Sequence, residues 1–336
     1  MNNATPPAES ANKPRETGDS VVTAPLTLPG IMWRTNAALL PGLLVACIYF
    51  GVGYLSNLVI ACGVGLALEA SWLRLRNQDV ARALGDGTAV LSCALIALAC
   101  PPATSPLVLG VAVTVAIILA KHLYGGLGRN LFNPAMTGYA FALVSFPAAF
   151  TNWPVPIDGI TQATALDSLK TLSGETLANR WTLENGFGAW GGYGTEWMAL
   201  AFSIGGAYLW WREIIAWRVS VGFVAVLALC AGLGYDNGSS VSGGSANLHL
   251  LSGGTLLAAW FVLTDPVTHP ANPRAQWAFG ALCAICVYLI RRYGAYPDGI
   301  AFAVLLANSA NPLLDRLLPP HPSKTRGNTQ AEVEEP

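Results

Sequence analysis

The sequence predicts an all-α polytopic membrane protein of about ten transmembrane helices, and three observations carry that prediction. Of 336 residues, 53% are hydrophobic and only 11% are charged, against about 25% charged in an average soluble domain. Nineteen of the 37 charged residues fall in three stretches, 1–30, 151–197 and 315–336. Between them, apolar stretches able to cross about 30 Å of hydrocarbon recur along the chain. A soluble globule of this size needs far more polar surface. The net charge of -1 offers no attraction for nucleic acid.

Residues 1–30 are rich in Pro, Asn and charge and lack the apolar core of a cleaved signal, so they read as a disordered cytoplasmic tail. The predicted spans are 36–54, 56–74, 87–101, 107–123, 131–150, 197–211, 215–234, 248–264, 275–292 and 298–317, of which 87–101 and 197–211 are short. A second disordered cytoplasmic tail follows at 318–336. With the N-terminus inside, fourteen Lys and Arg fall on the inner side, while Lys170, Arg180, Arg291 and Arg292 fall outside. That asymmetry places the 151–197 loop outside, in the periplasm or its equivalent, with both termini cytoplasmic.

The chain also echoes itself. Pro102-Ala-Thr-Ser-Pro106 matches Pro266-Val-Thr-His-Pro270, each after a Gly-Thr-led span (Gly87-Thr88 and Gly254-Thr255), and Gly138-Tyr-Ala-Phe-Ala-Leu143 matches Gly299-Ile-Ala-Phe-Ala-Val304. The pattern predicts two five-helix repeats, 31–150 and 198–317. An odd number of spans in each inverts the second in the membrane. The seven cysteines lie in apolar segments and suggest helix packing. Cys283 and Cys286 have ligand spacing on one helix face, but no second pair completes a metal site. The four histidines are scattered. Gly125-Gly126-Leu-Gly128 lacks the lysine of a phosphate loop.

The external loop holds Asp158-Gly-Ile-Thr161-Gln-Ala-Thr164 after the stiff Trp153-Pro-Val-Pro156. A Thr hydroxyl is a potential ester site, and the small Ala163 admits a bulky group. By chemistry alone this is a hydroxyl-rich turn. Asn130 and Asn133 flank the start of a span, where amides either hydrogen-bond a ligand's polar edge or cap a helix, as Asn-Pro at 133–134 suits. Arg129 reads first as an inner-side anchor. Glu69, Asp265 and Asp298 are ionisable groups near membrane depth, candidates for an ion route as well as interfacial residues.

The Asp158–Thr164 run resembles the covalent flavinylation motif of the NqrB/RnfD family, membrane subunits of redox-driven ion-translocating oxidoreductases. It departs from that motif at Gln162, where Gly is usual, and at Ala165, where Pro is common. Gly125-Gly-Leu-Gly-Arg-Asn-Leu-Phe-Asn-Pro-Ala-Met136, Thr264-Asp-Pro-Val-Thr268, Tyr296-Pro-Asp-Gly299 and Ala301-Phe-Ala-Val-Leu-Leu-Ala-Asn308 resemble further segments of the family, distributed over 125–317. The resemblance implies FMN joined through its phosphate to Thr164 by a flavin transferase, with Asp158, Thr161 and Ala163 as recognition residues. It also implies a non-covalent riboflavin near Asn130, Asn133 and Arg129, and a six-subunit type of complex in the membrane that couples electron transfer to Na⁺ or H⁺ movement. The chain itself has no Fe–S cysteine pattern and no dinucleotide-binding fingerprint, so partner subunits must deliver and remove electrons. The repeat alone also suits an inverted-repeat channel or secondary transporter without redox activity. Light absorption by bound flavin separates the two.

Overall fold

A computed structural model of the chain describes residues 27–319, apart from 127, 152, 155–160, 163, 172–173, 184–185 and 297. It is mostly helical. Thr27 caps α1 (Leu28–Ala38), which runs through Leu39 into α2 (Leu40–Phe50). Pro41 lacks the N–H that would continue the ladder, so the 23-residue helix Leu28–Phe50 breaks into two pieces there. Gly51, at φ +81°, ends it. α3 (Gly53–Leu75) rises about 34 Å at 1.5 Å per residue, enough to cross hydrocarbon. A short α4 (Val80–Leu84), capped by Asp79, leads to α5 (Thr88–Ala99). α6 (Pro106–Thr114) widens into a π-helical stretch, Val115–His122. α7 (Pro134–Ser145) is capped by Asn133.

The expected span 131–150 is broken, because Phe146 leaves helical geometry before Pro147 and α8 (Pro147–Thr151) starts afresh. Beyond it, β1 (Trp153–Pro154) pairs antiparallel with β2 (Thr161–Gln162), Trp153 opposite Gln162 and Pro154 opposite Thr161. Then come α9 (Ala165–Thr171), α10 (Leu177–Leu183), α11 (Thr195–Trp211) and α12 (Trp217–Leu233). The expected span 248–264 is also broken. α13 (Ala246–Leu251) stops at Ser252-Gly253-Gly254, and α14 (Thr255–Leu257) restarts and becomes π-helical over Ala258–Val262. α15 (Pro273–Tyr293) and α16 (Ile300–Leu317) complete the bundle. Helices Leu28–Phe50, Gly53–Leu75 and Pro273–Tyr293 are long and apolar enough to cross a membrane, and Thr88–Ala99, Pro106–His122 and Trp217–Leu233 are shorter apolar helices.

In the first half α3 packs on α5 and α6, and α6 on α7. In the second, α12 packs on α15, and α15 on α16. Between halves α2 meets α11, and α7 meets α16. Close backbone approach needs glycine at two such crossings. A Cβ on Gly138 would lie 2.2 Å from Ala112 O, and one on Gly205 would lie 1.9 Å from Ala38 O. The distribution of polarity is that of a membrane protein. Leu44, Ile48, Val59 and Leu229 stand exposed, while Asn57, Glu69, Lys121, Arg291 and Asn308 are buried.

Candidate functional site

Thr164 ends the loop's hydroxyl-rich run and begins α9. Its Oγ1 accepts the Asp167 N–H at 3.2 Å, and its carbonyl accepts the Asp167 and Ser168 N–H groups, each at 2.9 Å. Residues Thr, x, x at this spacing close a helix N-terminus, so the local sequence sets the side chain's direction. Ala165, Leu166 and Leu169 bury the inner face of α9. Lys170 then fastens the helix to the membrane half. Its Nζ donates to Ile290 O (3.1 Å), Gly294 O (2.9 Å) and Tyr296 O, the carbonyls that end α15 and lead into α16. Burial pushes the Lys170 ammonium down from its ordinary value, against the pull of Asp167 and Asp298.

A second strap closes the other side. Glu196 accepts the N–H groups of Ala189 (3.1 Å), Trp190 (2.8 Å) and Gly191 (3.0 Å), and the Gly192 N–H donates to Ser252 Oγ at 2.7 Å. Buried and satisfied by three donors, the Glu196 carboxylate holds residues 189–191 in one conformation. Beneath these straps lies a cavity of about 320 Å³ with Thr164 on its wall. Rings of Tyr139, Phe150, Trp153, Tyr193 and Tyr296 line it, with Asp298 among them. Ligand pockets run from about 300 to 1,000 Å³ and are mostly apolar with few fixed polar groups. A planar aromatic ring tethered at Thr164 suits this cavity in size and lining.

Asp298 is held in this wall by its neighbours. Oδ1 accepts Arg291 Nη2 at 3.1 Å and the Ile300 N–H at 3.3 Å, and Oδ2 accepts the Gly254 N–H at 3.0 Å. Arg291 is buried and also donates to His249 O (2.7 Å) and Thr255 Oγ1 (2.8 Å). Arg291, counted from sequence as an outer-side anchor, therefore points inward as the counter-ion of Asp298.

The other half holds a related cluster. Lys121 Nζ donates to Glu69 Oε1 at 2.6 Å and to Thr88 Oγ1 at 2.8 Å, and Thr88 in turn donates to Asp86 Oδ1 at 2.6 Å. Glu69 is 2% exposed, so the interfacial alternative gives way to a buried ion pair. His122 Nε2 lies 3.3 Å from Glu69 Oε1 without hydrogen-bond geometry, its ring stacked on Trp72. Lys121, Thr88, Asn130, Asn133 and Asp265 line a small cavity of about 70 Å³. Asn133 accepts the Met136 N–H (3.1 Å) as the cap of α7 and donates to Asp265 Oδ2 (3.3 Å), while its own N–H donates to Asn308 Oδ1 (3.0 Å). Asn130 Nδ2 donates to Phe132 O. Helix capping is thus the observed use of Asn133. Asn130 and Asn133 thus share a small polar cavity, with room for a few waters in this structure. Arg129 stands apart at the exposed surface.

Of the motif residues, Thr161 contributes backbone to β2, whereas Asp158 and Ala163 lie outside the described residues. Sequence reasoning missed Lys121, Arg291 and the ring of aromatic side chains. One signal was available: Gly-Thr begins a helix within the third span of each half, at Thr88 and at Thr255, and each of those threonines receives a buried cation.

Residues 17–324 match the NQR2, RnfD, RnfE family. The chain is 41% identical over 338 residues to the D subunit of the ion-translocating oxidoreductase complex of Pseudomonas paraeruginosa, covering 95% of this chain and 97% of that protein. Proteins of the same name from Salmonella paratyphi A and Sodalis glossinidius are also 41% identical, covering 85% and 86% of this chain and 91% and 93% of theirs. With the match extending over nearly the whole membrane bundle and both cavities, the chain belongs to the NQR2, RnfD, RnfE family.

Proposed function

We propose that this chain is the membrane subunit of a multi-subunit, redox-driven ion translocase, and that it carries FMN esterified through its phosphate to Thr164. The relatives' names support the first part, since each is the D subunit of an ion-translocating oxidoreductase complex. One observation carries the second: Thr164 lies on the wall of an aromatic-lined cavity large enough for a planar ring. When bound, the flavin supplies electron transfer. The chain's own residues do the rest. Thr164 provides the ester oxygen, Lys170 and Glu196 hold the two straps over the cavity, and the rings of Tyr139, Phe150 and Tyr296 exclude water. Glu69 and Asp265 remain candidates for an Na⁺ or H⁺ route on the inner side, joined by Lys121 and the small cavity.

The same reading places the chain in a bacterial inner membrane with ten spans, both termini cytoplasmic and the 151–197 loop periplasmic, where an extracytoplasmic flavin transferase meets it. Equivalent pairings support two inverted repeats. α3 with α6 corresponds to α12 with α15, and the contacts between halves join first span to first and fifth to fifth. Buried cation–threonine pairs at Thr88 and Thr255 recur in both halves.

Intact-mass measurement of the full chain, co-produced with its transferase, tests the cofactor. The wild type should carry one FMN, Thr164→Ala none, and Thr161→Val the same as wild type. Thr164 is half-buried and caps α9, so Thr164→Ala should cost about 1 kcal/mol of stability and leave the bundle folded. FMN persisting on Thr164→Ala, or a wild-type mass without the adduct, would overturn the assignment.

A further inference from the structure

The carboxylate of Asp298 is more tightly specified than a counter-ion needs to be. Arg291 Nη2 and two backbone N–H groups fix both oxygens. The chain even makes room for it, because a Cβ on Gly253, at φ +62°, would lie 2.4 Å from Asp298 Oδ2. The Asp298 side chain keeps 27% of its surface exposed, against 1% for Arg291. The cavity wall therefore presents the anion, with the cation behind it. Asp167, the other carboxylate on that wall, rides on α9 beside Thr164 itself.

We infer that Asp298, clamped by Arg291, is a positioning residue that sets the reduction potential of the ring held at Thr164. The inference rests on the Thr164 reading and goes beyond it in naming the electrostatic control. Each electron added to a ring makes it more negative until a proton follows. A fixed carboxylate on a weakly screened, apolar wall disfavours that step, and the guanidinium behind it offsets part of the effect. The net sign is negative because the anion is nearer the cavity.

The test is a redox titration of the covalent flavin in the full chain, purified in detergent micelles after co-production with the transferase. Dithionite serves as reductant with indicator dyes, and intact mass confirms one FMN per chain. Asp298→Asn keeps the shape and the acceptor for the Gly254 N–H. It should raise the reduced-to-oxidised ratio at fixed potential at least tenfold, about 30 mV for a two-electron couple. Arg291→Gln should lower that ratio at least threefold, and the double variant should return to within threefold of wild type.

Opposite shifts separate this role from a structural one, since loosening the cavity would move both single variants the same way, towards free FMN. An unchanged potential in FMN-loaded Asp298→Asn, or shifts of equal sign in the two single variants, overturns the inference. If Asp298→Asn fails to accumulate, the Arg291→Gln arm decides: no fall in the ratio overturns it. A wild-type chain without FMN in the mass spectrum overturns the Thr164 reading and this inference together, and is told apart by that mass alone.

Discussion

Replacing Lys121 by Met removes the ammonium that lies 2.6 Å from Glu69 Oε1, with side-chain exposures of 4% and 2%. At that distance the attraction is about 6 kcal/mol for an effective dielectric of about 20. Desolvation of both groups offsets most of it, so the pair's net contribution is small. Losing one partner is another matter. Glu69 would keep a buried charge whose Oε2 already has no hydrogen-bond partner among the described residues, and breaking such a pair costs about 3–5 kcal/mol. Glu69→Leu together with Lys121→Met removes both charges, and Thr88 retains its bond to Asp86. The double variant should recover at least half of the loss, a coupling of about 2 kcal/mol or more. Unfolding of the full chain in mixed micelles, titrated with SDS and followed by tryptophan fluorescence, gives the four stabilities of the cycle. Wild-type stability in Lys121→Met, or a double variant as poor as the sum of the singles, would refute the buried-pair argument.

Two further outcomes follow from packing and topology. Gly205→Ala sets a Cβ 1.9 Å from the Ala38 carbonyl oxygen, where backbone must move, and should cost about 1–3 kcal/mol in the same titration, while Gly232→Ala, with open space around it, should cost under about 1 kcal/mol. A phosphatase reporter active only outside the cytoplasm should be active when fused near Gly174 and silent after Arg326; the opposite pattern would reverse the orientation drawn from the Lys and Arg distribution.

Composition and the windowed apolar pattern determined the membrane class, because the shortage of charge is a property of the sequence alone. The Asp158–Thr164 run was legible for a similar reason: a short motif keeps its residues together wherever the chain goes. Helix breaks were half-legible. Pro147 and the Gly253-Gly254 pair announce them, yet a hydropathy window averages straight across such residues. What only the tertiary structure decided is which polar groups meet. Lys121 finds Glu69 across 52 residues, and Arg291 finds His249 and Thr255 across 42 and 36. A cation near the end of an apolar span reads the same whether its flexible stem carries the charge out to the interface or turns it inward to a carboxylate. Only the neighbouring helices choose between those directions. The cavity behind Thr164 likewise exists because α7, α9, α11, α14 and α16 converge there, each contributing between one and four residues far apart in sequence from those of the others.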